Sequence, residues 1–347
     1  MNYSKVKIAA LGYELAPVVV TSEELEERLA PVYEKLHLPS GQLESLTGIA
    51  ERRWWEKDCS LARGAAHAGR QALETGGVSP KDIGALIYAG VNRENFEPAT
   101  ACHVADTLGI GGDAAIYDIS NACLGMFNGV IEIANRIELG QIRAGLVVSC
   151  ETAREINDIM IERMLEEMSI ELFSTSLATL TGGSGAAAVL LTDASLASSQ
   201  SHTLLGAAAC SAPEYHALCR WGLSPETGNN VRQIMVTDAG PVLKHGVTLG
   251  ALTWKQFLQM TGWSGNEVDK VICHQVGATN RDAILQAIGV PVEKDFSTFA
   301  YLGNTGTVSV PMTAALADER GFLKRGDRVG WLGIGSGLNC IMLGLEW

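Results

Sequence analysis

The sequence predicts an α/β protein made of two related halves, each a mixed sheet flanked by helices, the two stacked as a five-layered sandwich. Three observations carry this expectation. Strand-like and helix-like segments alternate along the chain, the pattern of sheets covered by helices. The chain repeats itself once, with an offset of 262 − 77 = 185 residues over its best-matched segment. Apolar residues make up 47% and charged residues 19%, which suits a large filled core and argues against disorder.

Met1 to Pro17 carries Lys5 and Lys7, but its apolar run is short and broken by Gly12 and Glu14. It reads as a first strand rather than a signal peptide. Gly77 to Tyr88 (GVSPKDIGALIY) lies on Gly262 to Cys273 (GWSGNEVDKVIC), each a turn, an acid and a β-branched strand. The following helices also match, Thr100 to Ile110 on Asn280 to Val290, each ending apolar-Gly-apolar. Leu139 to Val148, around Arg143, resembles Leu323 to Leu332, around Arg328.

Gly183-Ser184-Gly185 and its apolar strand then match Gly335-Ser336-Gly337 and the closing strand, at an offset of 335 − 183 = 152. The drop from 185 to 152 leaves about 33 extra residues in the first half, between Glu151 and Gly183. There Ile156 to Phe173 repeats Ile and Met at helical spacing. It reads as a surface helix packing its apolar face, or as a cap lining an apolar tunnel. The halves are expected to be 1–196 and 197–347, with a helical insert over about 152–182.

Tyr117 to Gly129 (YDISNACLGMFNG) runs from a strand into a helix whose apolar face is Phe127, Val130, Ile131, Ala134 and Ile137. Cys123 falls at or near the helix N-terminus, where free amides and the dipole are expected to favour a thiolate and lower its pKa. In the second half His274-Gln275 ends a repeated core strand. Leu302 to Val308, with Asn304, precedes the helix related by the repeat to that of Cys123. An imidazole and a carboxamide near a thiol offer two donors to an oxygen that turns negative during acyl chemistry.

Other classes are disfavoured. Net charge is 26 − 39 = −13, which repels nucleic acid and anionic membranes. The longest uncharged stretch, Leu172 to Thr192, is interrupted by Gly182, Gly183 and Gly185, so no membrane span is expected. Eight cysteines show no C-x-x-C pair, as in a reduced, cytoplasmic protein. Gly333-x-Gly335-x-Gly337 lacks the helix and the downstream acid of a dinucleotide site. His216-x-x-Cys219 has no partner pair, so no metal is expected.

Over essentially its whole length the chain resembles the thiolase superfamily in its ketoacyl synthase III branch. The residues that carry the resemblance are Thr47-Gly48-Ile49 with Arg52-Arg53, Asn121-Ala122-Cys123, His274-Gln275, Gly303-Asn304-Thr305 and Gly335-Ser336-Gly337. It implies a thiolase-like fold, a Cys123-His274-Asn304 triad, and an oxyanion hole from the amides of Cys123 and Ser336. It implies no cofactor beyond coenzyme A as part of the substrate. Arg52, Arg53, Arg281 and Lys244 are candidates to meet the CoA phosphates.

Several positions depart from the synthases. Glu97 precedes Pro98 where an apolar residue is usual. Ser336 replaces a glycine. Gln42 stands where the tryptophan over the CoA adenine is expected. These departures resemble the bacterial enzymes that join two long-chain acyl-CoAs head to head in olefin synthesis. That resemblance implies a non-decarboxylating Claisen condensation, with Glu97 as the α-proton base, reaching the site of the other subunit of a homodimer. Downstream enzymes of the olefin pathway are then the expected partners. Three alternatives stay open: a decarboxylating synthase III using malonyl-carrier protein, a silent acyl-CoA-binding scaffold, and, for Glu97, simple helix-capping electrostatics.

Overall fold

The computed structural model describes residues 1–225 and 231–347. The first half begins with β1 (Lys7–Leu15) and a small edge layer of β2 (Val18–Thr21), α1 (Ser22–Arg28), α2 (Ala30–Leu36), α3 (Gln42–Thr47) and β3 (Glu51–Trp54). It continues through α4 (Leu61–Gly76), β4 (Ala85–Tyr88), α5 (Thr100–Leu108), β5 (Ala115–Asp118) and α6 (Gly125–Glu138). Next come β6 (Ala144–Glu151), α7 (Arg154–Glu167), α8 (Ile170–Ser176) and β7 (Gly185–Thr192). The second half runs β8 (His202–Ser211), β9 (Cys219–Pro225), β10 (Val231–Thr237), α9 (Ala239–Thr261) and β11 (Lys270–Cys273). It closes with α10 (Ala278–Ile288), α11 (Phe299–Leu302), α12 (Ser309–Glu319), β12 (Arg328–Gly335) and β13 (Asn339–Glu346).

The repeat is visible in the strand pairing. In the first half β4 pairs in parallel with both β5 and β6, and β6, β7 and β1 then pair antiparallel. In the second, β11 and β12 are parallel, and β12, β13 and β8 antiparallel. The counterpart of β5 is reduced to one bridge, Val271 to Asp295. The halves also touch edge to edge, through Lys7 with Thr203 and Ile8 with His202. The strand order is therefore continuous, β11-β12-β13-β8-β1-β7-β6-β4-β5, because joining β1 to β8 leaves neither edge unpaired in the interior.

The layers follow from which helices are apolar all round. In α12 every residue from Ser309 to Ala317 is buried, and α6 buries most of its length; such helices belong between sheets. Their side chains share one cluster with Ile87 and Val189 of the first half and with Trp331 and Leu343 of the second. The outer face of the first half is covered by α4 and α5, and that of the second by α9 and α10. Strands β6 and β7 are buried at every residue, as expected of strands covered on both faces.

The extra residues of the first half form α7, α8 and a short 3-10 turn (Thr179–Thr181). Ile156, Met160 and Met164 pack against Leu25, Leu29 and Trp54 of the edge layer. Their apolar stripe is thus spent on this cap. All eight cysteines are unpaired. Among the described residues no helix is long and apolar enough to cross a membrane.

Candidate active site

An apolar cavity of about 470 Å³ lies where the halves meet, walled by α9, α10 and the ends of β11 and β12 of the second and by Leu46, Thr47 and Cys123 of the first. Cys123, His274, Asn304 and Ser336 all line it. The first comes from one half of the repeat and the other three from the second.

Cys123 sits in the turn between β5 and α6, two residues before the helix begins. Ala122 before it has φ +45°, a left-handed conformation that costs a side-chain-bearing residue about 1–2 kcal/mol. Side chains from both halves brace the turn. Asn121 donates through Nδ2 to Asn128 Oδ1 at 2.7 Å and accepts at Oδ1 from Asn339 Nδ2 at 3.2 Å. The Met126 amide donates to Thr307 Oγ1 at 2.8 Å. A Cβ placed on Gly335 would lie 3.4 Å from the Cys123 nitrogen. The strand leading to Ser336 therefore passes close to the Cys123 amide.

The electrostatics differ from the sequence expectation. Burial pushes the Cys123 thiol up to about 12, with smaller contributions from Cys219 and Glu151. Removing the thiolate from water outweighs the helix end, and no cation is among the causes that act on it. The Cys123 side chain is therefore a neutral thiol at rest.

His274 directly follows β11 and is buried. Desolvation alone lowers its pKa to about 4, so the imidazole is neutral at physiological pH. Its Nδ1 shares a 2.6 Å hydrogen bond with Ser309 Oγ, which lies in the first turn of α12. With Nδ1 engaged, Nε2 is the ring nitrogen left for the cavity. A serine hydroxyl both donates and accepts, so it supports either tautomer.

Asn304 accepts at Oδ1 from the Gly306 amide at 3.1 Å, which turns the carboxamide N–H₂ the other way. Its backbone is locked on both sides, donating to Thr181 O and accepting from Gly183 N. Gln275 has a different task. Its Oε1 accepts from the amides of Thr298 and Phe299, and its Nε2 donates to Cys273 O. It secures the segment ahead of Asn304 rather than facing substrate.

The candidate CoA contacts divide. Arg52 has no exposed surface; it donates to Val20 O and Ser22 Oγ, and burial lowers its pKa to about 10. It is a core residue and is removed as a phosphate contact, because the alternation of β3 turns it inward with Trp54. Arg53 is half-buried on the opposite face of β3 and Lys244 is exposed on α9; neither lines the cavity. Arg281 does line it, held by Asp282 at 2.8 Å and lying 5.4 Å over the Phe299 ring.

Glu97 is exposed on the loop between β4 and α5 and does not line the cavity of its own chain. Beside it Phe96 is 98% exposed. The insert contributes to the cavity only where it ends, through Leu177, Ala178 and Thr181.

Sequence reasoning missed two features. Ser309 gave no signal beyond its place in the repeated helix. The cavity wall on α9 did leave a trace: Gly246 and Gly250 are four residues apart on one face, and both line the space. Cys219, Cys273 and Cys340 also line it, so four of the eight thiols share one cavity.

Comparison with known proteins agrees with this architecture. The profile described as thiolase, N-terminal domain, matches residues 46–171, and 3-oxoacyl-[acyl-carrier-protein] synthase III C terminal matches residues 258–347. An acyl-CoA:acyl-CoA alkyltransferase of Shewanella oneidensis is 57% identical over the whole of both chains, and one of Xanthomonas campestris is 36% identical over the whole of both. A β-ketoacyl-carrier-protein synthase III of Streptomyces coelicolor is 29% identical over 98% of this chain and 96% of its own.

Among solved structures, cerulenin-bound Xanthomonas campestris OleA superposes with a TM-score of 0.94 at 36% identity, covering 100% of this chain and 98% of that one. A cysteine-to-serine form of that protein with bound lauric acid and lauroyl-CoA gives 0.93 at 36% identity, covering 99% and 100%. That protein has also been solved with a glutamate replaced. Its replaced cysteine and glutamate stand 26 positions apart, the separation of Cys123 and Glu97 here (123 − 97 = 26).

Proposed function

The chain belongs to the acyl-CoA:acyl-CoA alkyltransferases of the thiolase fold, and from that membership we propose a reaction path in which Cys123 carries one acyl group and Glu97 activates the other. The enzyme is an acyltransferase that condenses two acyl-CoAs head to head without decarboxylation. The observation that carries this is identity of 57% over the full length of a named alkyltransferase. The decarboxylating reading has less behind it, since the synthase III relative is 29% identical.

In the first half-reaction the Cys123 thiol gives its proton to Nε2 of neutral His274 as sulfur attacks the thioester carbonyl. CoA leaves as the thiol, taking that proton, and an acyl-Cys123 thioester remains. The developing oxyanion is received by the amides of Cys123 and Ser336. In the second, Glu97 removes an α-proton from another acyl-CoA; His274, returned by proton exchange to its Nε2–H tautomer with Nδ1 now accepting from Ser309 Oγ, holds the enolate oxygen together with the Asn304 carboxamide. The enolate carbon attacks the acyl-Cys123 carbonyl, the Cys123 sulfur departs and regains a proton as Glu97 gives up the one it took, and the released 2-alkyl-3-ketoacyl-CoA is later hydrolysed to the β-keto acid.

Long-chain substrates fit the apolar lining. The cavity of about 470 Å³ is lined mainly by apolar side chains and glycines, which supports an acyl chain as its occupant. We assign a homodimer in which Glu97 serves the partner's cavity; its exposed position beside Phe96, outside its own cavity, supports this. Arg281, at the cavity, is the candidate contact for CoA. Free thiols and CoA-ester substrates favour the cytoplasm, with olefin-pathway enzymes taking the product.

The test is incubation of the purified protein with myristoyl-CoA alone, following free CoA and searching by mass spectrometry for a doubled-chain β-keto acid or ketone. Product formed without malonyl-carrier protein supports the assignment. Arrest at acyl-Cys123, relieved by malonyl-carrier protein, would identify a divergent synthase III.

A further inference from the structure

Glu151, the last residue of β6, is a buried carboxylate that the path above does not use. Its Oε1 accepts from the Val91 amide at 2.9 Å and its Oε2 from the Asn92 amide at 3.2 Å. These two residues are the root of the loop that carries Glu97. The stem of Glu151 lies against Gly306, where a Cβ would come within 3.4 Å of its Cγ. The anchor is thus fixed against the turn of Asn304, and the Glu151 carbonyl also accepts from Trp55 Nε1 at 3.0 Å.

The rest of the loop is secured in the same way. Glu94 accepts from the Leu61 and Ala62 amides at the start of α4. Asp118 accepts from the Thr100 and Ala101 amides at the start of α5. Asn92 Oδ1 accepts from the Thr152 amide, and Tyr88 Oη donates to Asn92 O at 2.8 Å. Beyond these ties, residues 95–98 project into solvent as a run, with Glu97 among them. A loop tied at both ends presents its tip in one place, and misplacement of about 1 Å can cost about a hundredfold in rate.

We infer that Glu151 is a positioning residue for the condensation step, holding the root of the loop so that Glu97 meets the α-carbon of the second acyl-CoA. This rests on the reading of Glu97 as base. Glu151 holds both amides best when ionised, since protonation puts a donor on one oxygen and weakens its acceptance from the amide there. Burial pushes its pKa up to about 7, against the opposing pull of the two amide bonds. The titratable groups facing it are Tyr88, Cys123 and Cys150, all raised and neutral at that pH.

The test compares Glu151→Gln, Glu97→Gln and the double variant in single turnovers with myristoyl-CoA, reading acyl-Cys123 and condensed product separately. The carboxamide introduced by Glu151→Gln keeps the shape but opposes one amide donor with another. Expected for Glu151→Gln is acylation within about twofold of the parent and condensation down at least about tenfold. The double variant should condense no more slowly than Glu97→Gln alone, because Glu151 acts through Glu97. In the parent, the ratio of condensation to acylation should rise severalfold as pH passes upward through about 7, and lose that rise in Glu151→Gln.

Equal losses in both half-reactions, or losses that multiply in the double variant, would overturn the inference. If Glu151→Gln does not fold, the parent profile decides, and a flat ratio across neutral pH overturns it. Normal condensation by Glu97→Gln is a separate result that removes the base reading itself.

Discussion

Ser309 Oγ stands 2.6 Å from Nδ1 of His274, and both residues are buried beside the cavity. No carboxylate contributes to the imidazole's pKa, which is set by desolvation alone. The ring is therefore oriented by a hydroxyl, a group that can either give or take a hydrogen bond. Ser309→Ala leaves Nδ1 without its partner, at a cost of about 1–3 kcal/mol. We expect kcat to fall roughly tenfold or more with KM little changed, and Ser309→Thr to recover part of the loss. A change confined to thermal stability would show that the bond is only structural.

The neutral thiol sets the reactivity of Cys123. At pH 7 only a trace is thiolate when the pKa stands at about 12. Iodoacetamide should then label Cys123 slowly in the free enzyme, with the rate still climbing above pH 9 or so. Labelling resolved by peptide mass spectrometry across pH checks this. A plateau near neutrality would mean that a cation reaches the sulfur.

Loss of the proposed base separates the half-reactions. Glu97→Gln should still form acyl-Cys123, while condensation drops about a hundredfold or more, in the range typical for a general base. Quenched single turnovers read both products.

The bore of the cavity is set partly by a glycine. A Cβ at Gly246 would lie 2.9 Å from Ile334 Cδ1, and both residues line the space. Gly246→Val must displace Ile334 and fill volume as well. Activity with palmitoyl-CoA should fall by at least about tenfold relative to lauroyl-CoA, since one or two misplaced methylenes carry about 1–3 kcal/mol each. Equal losses with both would mean that the acyl chain lies elsewhere.

Stability should respond to pH through groups of opposite sign. His274 has its pKa lowered from 6.5 to about 4, so the unfolded chain binds its proton first and stability is lost as pH falls from 6.5 toward 4. Glu151 and Asp295 are raised to about 7, so the folded chain binds their protons and stability is lost as pH rises from their ordinary values toward 7. Glu151→Gln removes one of the latter. Its melting temperature, compared with the parent, should therefore improve between pH 5 and about 7.5. An unchanged difference would mean that Glu151 titrates alike in both states.

Much of this was legible because the repeat gives positions a meaning. Cys123 and Asn304 precede equivalent central helices, and His274 ends a strand whose partner in the first half ends in apolar residues. What escaped were quantities set by the whole packing. Arg52 and Arg53 are adjacent and chemically alike, yet the inward turn of β3 buries one completely. The thiol of Cys123 occupies a helix start that predicts a low pKa, and the surrounding core reverses it. The α9 wall left only the trace of Gly246 and Gly250, because glycines in a helix reveal their purpose only when their neighbours are known.

The closing strand has one more consequence. β13 lies between β12 and β8, pairing with both along its length. It is synthesised after each of the strands it separates. Until it emerges, β8 and β12 face a gap and show two open strand edges, the surfaces that invite pairing with another chain. A ribosome that stalls before residue 339 would release a chain whose second half is unable to close. Such a product is a candidate for aggregation rather than for partial activity, and a chaperone that holds the second half during translation would guard this one interval.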